Sequence, residues 1–152
     1  MDEQLVNFSK IELFEVRDKL LYISYADVLV NFLKILIYSY ANNFVMMYIH
    51  LLFSIFIYVG LIGINRYIKS NIYFYISVNV ITIIISILSI SLTSNKSFPL
   101  LISNYLLFFM ISFILKLNLK FLRLIKRLSN NDIDELKRGW RPPRYRYSHS
   151  YV

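Results

Sequence analysis

Two ionisable side chains in one apolar stretch could carry chemistry in this chain. Asp27 and Lys34 lie seven residues apart within residues 21–41. Seven residues make about two helical turns, so the two side chains would share one helix face. Ionisable groups inside a membrane often mark proton or ion pathways. Two interpretations stay open. The two charges could neutralise partners in neighbouring helices or take part in proton movement, or they could be solvated charges on a helix that lies along the membrane surface.

Further polar side chains lie in apolar stretches, among them His50, Asn79, Asn104 and Lys116. His50 has no second ligand at metal or haem spacing, so polar helix packing is favoured. Lys116 lies about a turn inside the end of its stretch, which favours an ammonium that reaches the interface over a lysine in a proton path. Asn79 and Asn104 could hydrogen-bond across helices. The sequence has no phosphate-binding loop, catalytic triad or metal cluster, and we predict no catalytic residue, metal or cofactor.

The composition indicates a membrane protein. Of the 152 residues 57% are hydrophobic, and no acidic residue lies between Asp27 and Asp132. A soluble domain needs polar helix faces and a surface of mixed charge. The absence of cysteine excludes disulfides and thiolate metal sites. Acidic residues are frequent in the first twenty positions, unlike in a signal peptide or a mitochondrial presequence, so we expect no cleaved targeting segment.

Three apolar segments predict transmembrane helices. Residues 44–64, 72–93 and 98–119 are each long enough to cross a hydrocarbon core of about 30 Å. The isoleucine-rich second segment would suggest a strand in water, but in lipid the backbone must satisfy its own hydrogen bonds. We therefore predict an all-α integral membrane protein in which residues 44–119 form a three-helix domain.

The flanking segments are less regular. Residues 1–20 have the spacing of an amphipathic helix, and residues 21–43 form a candidate fourth helix that either spans the membrane or lies on it. Residues 120–152 are a basic tail, in which a helix continues past the membrane and breaks near Ser129. Anionic lipid headgroups or an acidic protein are the expected contacts of this tail, and nucleic acid is not expected.

The cations predict the orientation. The turn after the first clear span holds Arg66 and Lys69, and the C-terminal tail is strongly basic, whereas the next turn holds only Lys96. Basic loops stay on the cytoplasmic or matrix side of a membrane. The first turn and the C-terminus should therefore lie on that side.

Two stretches carry a family resemblance. The first has glycines three residues apart and then a basic turn and an asparagine, namely Gly60, Gly63, Arg66, Lys69 and Asn71. The second is residues 127–139, a basic helix end followed by Asn, Ile, Asp and a closing Leu-Lys-Arg-Gly. Together they resemble NADH dehydrogenase subunit 4L, a three-helix membrane subunit of respiratory complex I, over about residues 46–139.

The resemblance implies a place in the mitochondrial inner membrane, with the C-terminus in the matrix and other membrane subunits of the complex as partners. It also implies buried glutamates in the second and third helices, tied to proton transfer, which this chain lacks. The matching positions fall at Val80, beside Asn79, and within residues 111–116. Asn79 could only hold water there, and Lys116 is the one candidate replacement in the third helix.

The resemblance therefore implies a subunit that packs against its neighbours and helps to enclose a proton route, without a carboxylate relay of its own. Catalysis with NADH and quinone would take place in other chains. The alternative is an accessory structural subunit of another oxidative-phosphorylation complex, such as ATP synthase or cytochrome oxidase. A third interpretation is a membrane-tethered RNA-binding protein that uses residues 140–152.

Overall fold

The computed structural model describes residues 3–93 and 98–142, and side-chain surroundings within 6–88 and 101–142. These residues form five helices: α1 (Glu3–Tyr40), α2 (Phe44–Asn65), α3 (Lys69–Thr93), α4 (Phe98–Arg127) and α5 (Asn130–Lys137). The described residues contain no strand. Helices α1 to α4 are long and apolar enough to cross a membrane. The prediction of an all-α membrane protein is confirmed, and α1 is the fourth long helix.

Helix α1 joins two segments that the sequence predicts as separate elements. The predicted segments 1–20 and 21–43 meet inside one helix of 38 residues. At 1.5 Å per residue this helix is about 57 Å long, nearly twice the thickness of a hydrocarbon core. Its second half carries only Asp27 and Lys34 as charges, and both are buried in the bundle. That burial supports a spanning helix rather than one lying on the membrane surface.

The four long helices form a closed bundle. Helix α1 packs against α2 and α4, and α3 packs against α2 and α4. Short connections make sequence neighbours antiparallel. Asn43 caps α2, because its side chain accepts a hydrogen bond from the Met46 amide at 3.3 Å. The turn between α3 and α4, which includes Lys96, lies outside the described residues.

An apolar core fills the end of the bundle that holds the α2–α3 turn. Leu13 and Leu20 of α1 pack there with Ile64, Phe121 and many other aliphatic side chains. Charged residues surround this end, including those of the first half of α1. Where this end extends past the hydrocarbon core into water, the hydrophobic effect can hold it together by apolar burial.

Tyr67 closes this apolar core at the α2–α3 turn. It has a φ of 56°, stacks on Phe121 with ring centroids 5.9 Å apart, and accepts a hydrogen bond from Arg17 Nη1 at 3.0 Å. Burial raises the pKa of the Tyr67 hydroxyl above its ordinary value, and the nearby Arg17 guanidinium only partly offsets this. The phenol therefore stays protonated and keeps its place in the core.

Helix α5 begins where the sequence predicts a break. The Ser129 side chain and the Asp132 side chain form a capping box, and Ile133 and Leu136 are buried. Lys10 of α1 lies 2.7 Å from carboxylate oxygens of both Asp132 and Glu135. The ion pairs fix α5 against the N-terminal half of α1. Of the predicted tail 120–152, residues 143–152 lie outside the described residues.

The pH dependence of α5 docking follows from this contact. Hydrogen bonds from Lys10 and Ser129 hold the pKa of Asp132 below its ordinary value of 3.8. Because the pKa is lowered by folding, the stabilisation is complete above the ordinary value and is lost as the pH falls through the folded value. We expect α5 to stay docked to about pH 4 and to detach only in stronger acid. The fluorescence of Trp140, the one tryptophan, reports this because its ring packs on the core.

Lys10→Met is the test variant for this contact, and Lys137→Met is the control, because Lys137 pairs with Asp134 on the exposed side of α5. Lys10→Met should move the fluorescence transition to higher pH, toward the ordinary range of an aspartate, whereas Lys137→Met should leave it in place. An unchanged transition in Lys10→Met would show that Lys10 does not hold Asp132.

Candidate functional site

The membrane half of α1 presents a polar stripe to the interior of the bundle. Ser24, Asp27, Asn31, Lys34 and Tyr38 follow one another at intervals of three or four residues, and all five are buried. This spacing keeps them on one helix face. The same face carries apolar residues in the first half of α1. The character of this face therefore changes from apolar to polar at Ser24, at the start of the more apolar half of the helix.

Asp27 is the acceptor at the centre of this stripe. The Asn31 side-chain amide donates to Asp27 Oδ1 at 2.9 Å, and the Tyr75 hydroxyl of α3 lies 3.3 Å from Asp27 Oδ2. Tyr75 has a second acceptor within reach, Ser24 Oγ at 3.1 Å. The carboxylate thus links α1 to α3 and receives donors on both of its oxygens.

His50 extends the chain of hydrogen bonds to α2. Its Nδ1 lies 2.9 Å from Asn31 Oδ1. Because the Asn31 amide nitrogen donates to Asp27, the Asn31 oxygen must accept, and this assigns the proton to His50 Nδ1. The imidazole stacks on Tyr38 and meets Phe53 edge-on, with centroids 5.4 and 6.1 Å away. The polar helix-packing role predicted for His50 agrees with this geometry.

Lys34 connects α1 to α4. Its Nζ donates to Asn104 Oδ1 at 2.6 Å, and both side chains are buried. No direct ion pair joins Lys34 to Asp27 among the residues described, since Asn31 lies between them on the same face. The two opposite charges are separated by about 10 Å of helix rise.

Asn79 adds a buried amide from α3, one helical turn after Tyr75. It lies beside the Tyr75 hydroxyl. Within the described part of the chain, the amide nitrogens of Asn79 and Asn104 have no partner that meets hydrogen-bond geometry. Val80, where the resemblance would place a glutamate, is 42% exposed and faces out of the bundle.

We call these side chains the intramembrane polar cluster: Ser24, Asp27, Asn31, Lys34, His50, Tyr75, Asn79 and Asn104. They come from all four long helices. From Ser24 to Lys34 the cluster extends about 15 Å along α1, or half of a hydrocarbon core. It contains an acid, a base, an imidazole and a phenol, which are groups that can hold or pass a proton. The described residues contain no set of three side chains suited to a metal ion.

The predicted site residues divide into two groups. Asp27, Lys34 and Asn79 meet in the cluster, whereas Lys116 is exposed at the basic end of α4. Arg66 and Lys69 are also exposed, at the α2–α3 turn. Lys116 is therefore not brought to the cluster, because its face of α4 points outward.

The two helical glycines allow α2 to approach α3 closely. A methyl group on Gly60 would overlap the Tyr75 side chain, and one on Gly63 would lie 2.6 Å from Asn71 Cβ. These are the residues that carry the first part of the family resemblance. Their small size seats Tyr75 within reach of Asp27, so they position the cluster as well as the helices.

Sequence reasoning missed Ser24 and Tyr75 as partners of the charges, and it expected hydrogen bonding of Asn104 across helices without naming Lys34 as the donor. Ser24 continues the three-and-four spacing of Asp27 and Asn31, and that spacing could have identified it. Tyr75 is one of 13 tyrosines and has no distinguishing pattern. Comparisons with protein families, with curated proteins and with solved structures give no match for this chain.

Proposed function

We propose that this chain is a membrane subunit of a respiratory complex, similar to NADH dehydrogenase subunit 4L, that packs against other membrane subunits and helps to enclose a proton route. The observation that carries this proposal is the buried carboxylate of Asp27 against Tyr75. A charged group inside a bundle in a membrane is costly, and such groups usually serve a transport or proton-transfer path.

The cluster also changes one part of the expectation drawn from sequence. Helix α3 corresponds to the helix in which the resemblance implies a glutamate, and it has no acid of its own. Asp27 reaches α3 from α1, the helix outside the resemblance, and contacts Tyr75 one turn before Asn79. We therefore propose that Asp27 supplies the carboxylate that the resembling helices lack, and that the amide nitrogens of Asn79 and Asn104 bind water along the route.

The outer surface suits a subunit among lipids and other membrane chains. Large apolar side chains are exposed along the membrane halves of the helices, for example Tyr58, Ile84 and Phe109. The basic α2–α3 turn and the basic end of α4 lie at one end of the bundle, and the positive-inside rule would place that end in the matrix of a mitochondrion.

Co-purification tests the assignment to a complex. The tagged chain would be extracted from its own membranes in a mild detergent, and the accompanying chains identified by mass spectrometry. Recovery with counterparts of complex I membrane subunits 6 and 2 supports the proposal. Recovery with ATP synthase or cytochrome oxidase would overturn it in favour of the accessory-subunit alternative. The supporting observation for that alternative is that hydrogen bonds of the cluster already join all four long helices within one chain.

Asp27→Asn separates proton transfer from packing. An asparagine can accept from Asn31 and donate to the Tyr75 oxygen while Tyr75 donates to Ser24, so most hydrogen bonds survive. An amide cannot take up and release a proton. We expect assembled complex at a reduced level and proton pumping per assembled complex lowered at least tenfold, measured with NADH in sealed vesicles.

The Asp18→Asn variant is the matched control, since Asp18 lies outside the cluster and, among the described residues, pairs with its neighbour Arg17. It should pump normally. Normal pumping by assembled Asp27→Asn complex would show that the cluster is structural and would support the accessory role.

A further inference from the structure

A row of cations on α4 borders a groove at the basic end of the bundle. Lys116, Lys120, Arg123 and Arg127 are four, three and four residues apart, so they share one face of the helix, and all four are exposed. The groove that they line is closed on its other side by Glu12 of α1. This face points away from the intramembrane polar cluster, and the proposed function does not use it.

The groove is apolar toward the membrane and cationic beyond it. Phe113 and Leu117 line it beside Lys116, and Phe113 is half exposed. Helix α4 has no charged residue between Phe98 and Leu115. That run is about 27 Å long, which brings Lys116 close to the edge of a hydrocarbon core of about 30 Å. Lys120 and Arg123 then lie at the height of lipid phosphates.

The cations exceed the acids that could neutralise them. Glu12 is the one carboxylate of the groove, and it lies 2.8 Å from Lys120 Nζ. Among the described residues, Lys116, Arg123 and Arg127 form no ion pair. Three positive charges lie on one surface, beside apolar side chains at the membrane edge. This arrangement suits an anionic group that is joined to acyl chains.

We infer that this groove binds the phosphate headgroup of an anionic phospholipid from the surrounding leaflet. The acyl chains lie along Phe113 and Leu117, and the phosphate contacts Lys116 and Arg123. Glu12 limits the affinity, because it is an acid at the rim and engages one of the four cations. The inference does not depend on which complex holds the chain.

Lipid binding can be measured by native mass spectrometry of the full chain, purified in detergent, delipidated and titrated with phosphatidylglycerol, cardiolipin or phosphatidylcholine. Each cation near an anionic headgroup contributes about a fivefold effect. The double variant Lys116→Gln/Arg123→Gln should therefore bind either anionic lipid roughly 25-fold more weakly. Glu12→Gln should bind more tightly, by about fivefold, because it frees Lys120 and removes a repulsive charge. Phosphatidylcholine should bind weakly to every variant.

The double variant Arg66→Gln/Lys69→Gln is the control, since it removes the same charge from the same end of the bundle but outside the groove. It should bind anionic lipid as the unaltered chain does. An equal loss in the control would show that net charge alone attracts the lipid and would overturn the site. Equal binding of phosphatidylcholine, or weaker binding by Glu12→Gln, would overturn it as well.

Discussion

Replacing Asp27 by alanine is expected to destabilise the bundle by about 3 kcal/mol or more. The carboxylate accepts from Asn31 and Tyr75. Its removal leaves both donors without their acceptor and leaves Lys34 buried with no opposite charge in the cluster. An unpaired charge inside a membrane is not solvated by water, so it is costly. The midpoint of unfolding by sodium dodecyl sulfate, followed by Trp140 fluorescence and circular dichroism, measures the loss.

A double variant separates charge from hydrogen bonding. Lys34→Met alone should also destabilise strongly, because Asp27 then becomes the unpaired charge. In Asp27→Ala/Lys34→Met no charge remains in the cluster, so the loss should be clearly smaller than the sum of the two single effects. Asp134→Ala, at the exposed ion pair with Lys137, should change stability by less than about 1 kcal/mol. If the stability losses of the two single variants simply add in the double variant, the two charges do not interact.

The helices could be predicted from sequence because hydropathy and length decide them. Helices α2, α3 and α4 begin within three residues of the predicted spans 44–64, 72–93 and 98–119. The predicted extension of α4 beyond its span and the break at Ser129 also agree with the structure. The sequence predicts two segments in place of the single helix α1, because the two halves of this helix differ in polarity. Residues 3–40 contain neither glycine nor proline, and that absence would have predicted one helix.

The partners in the cluster could not be predicted in the same way. Helical periodicity places Asp27 and Lys34 on one face, but it does not say which residue of another helix meets them. That depends on the rotation and height of α3 and α4 against α1. These in turn depend on close packing at Gly60 and Gly63, which sequence alone does not position. The role of Tyr75, and the choice of Lys34 as the partner of Asn104, therefore come only from the folded bundle.

The two halves of the bundle are held by different forces. Outside the membrane, apolar side chains such as Leu13 and Phe121 form the core. Inside the membrane, burial of apolar groups gives little advantage, since the lipid is equally apolar, and hydrogen bonds between polar side chains become the specific contacts. The polar stripe of α1 thus holds the helices together inside the membrane, as the apolar residues on the same face of α1 do outside it. A stable bundle and the proposed proton route can therefore use the same residues.

Gly60→Ala is expected to destabilise the bundle by about 1–3 kcal/mol. The added methyl group would overlap Tyr75 Cγ and lie 2.8 Å from Tyr75 Cβ, atoms near the backbone that cannot turn away. Helix propensity acts in the opposite direction, because alanine in a helix is favoured over glycine by about 1 kcal/mol. The sign of the change in the same unfolding titration therefore decides between close packing and simple propensity.

The effect of Gly60→Ala should also depend on Asp27. Displacing Tyr75 weakens its 3.3 Å contact with Asp27 Oδ2, so part of the loss comes through the cluster. In the Asp27→Asn background that part is already altered, and Gly60→Ala should then cost less, by about 0.5 kcal/mol or more. Ala26→Leu, which adds side-chain volume on the exposed face of α1, is the control and should be nearly neutral. Stabilisation by Gly60→Ala, or a loss that is the same in both backgrounds, would mean that the α2–α3 packing does not position Tyr75 for the carboxylate.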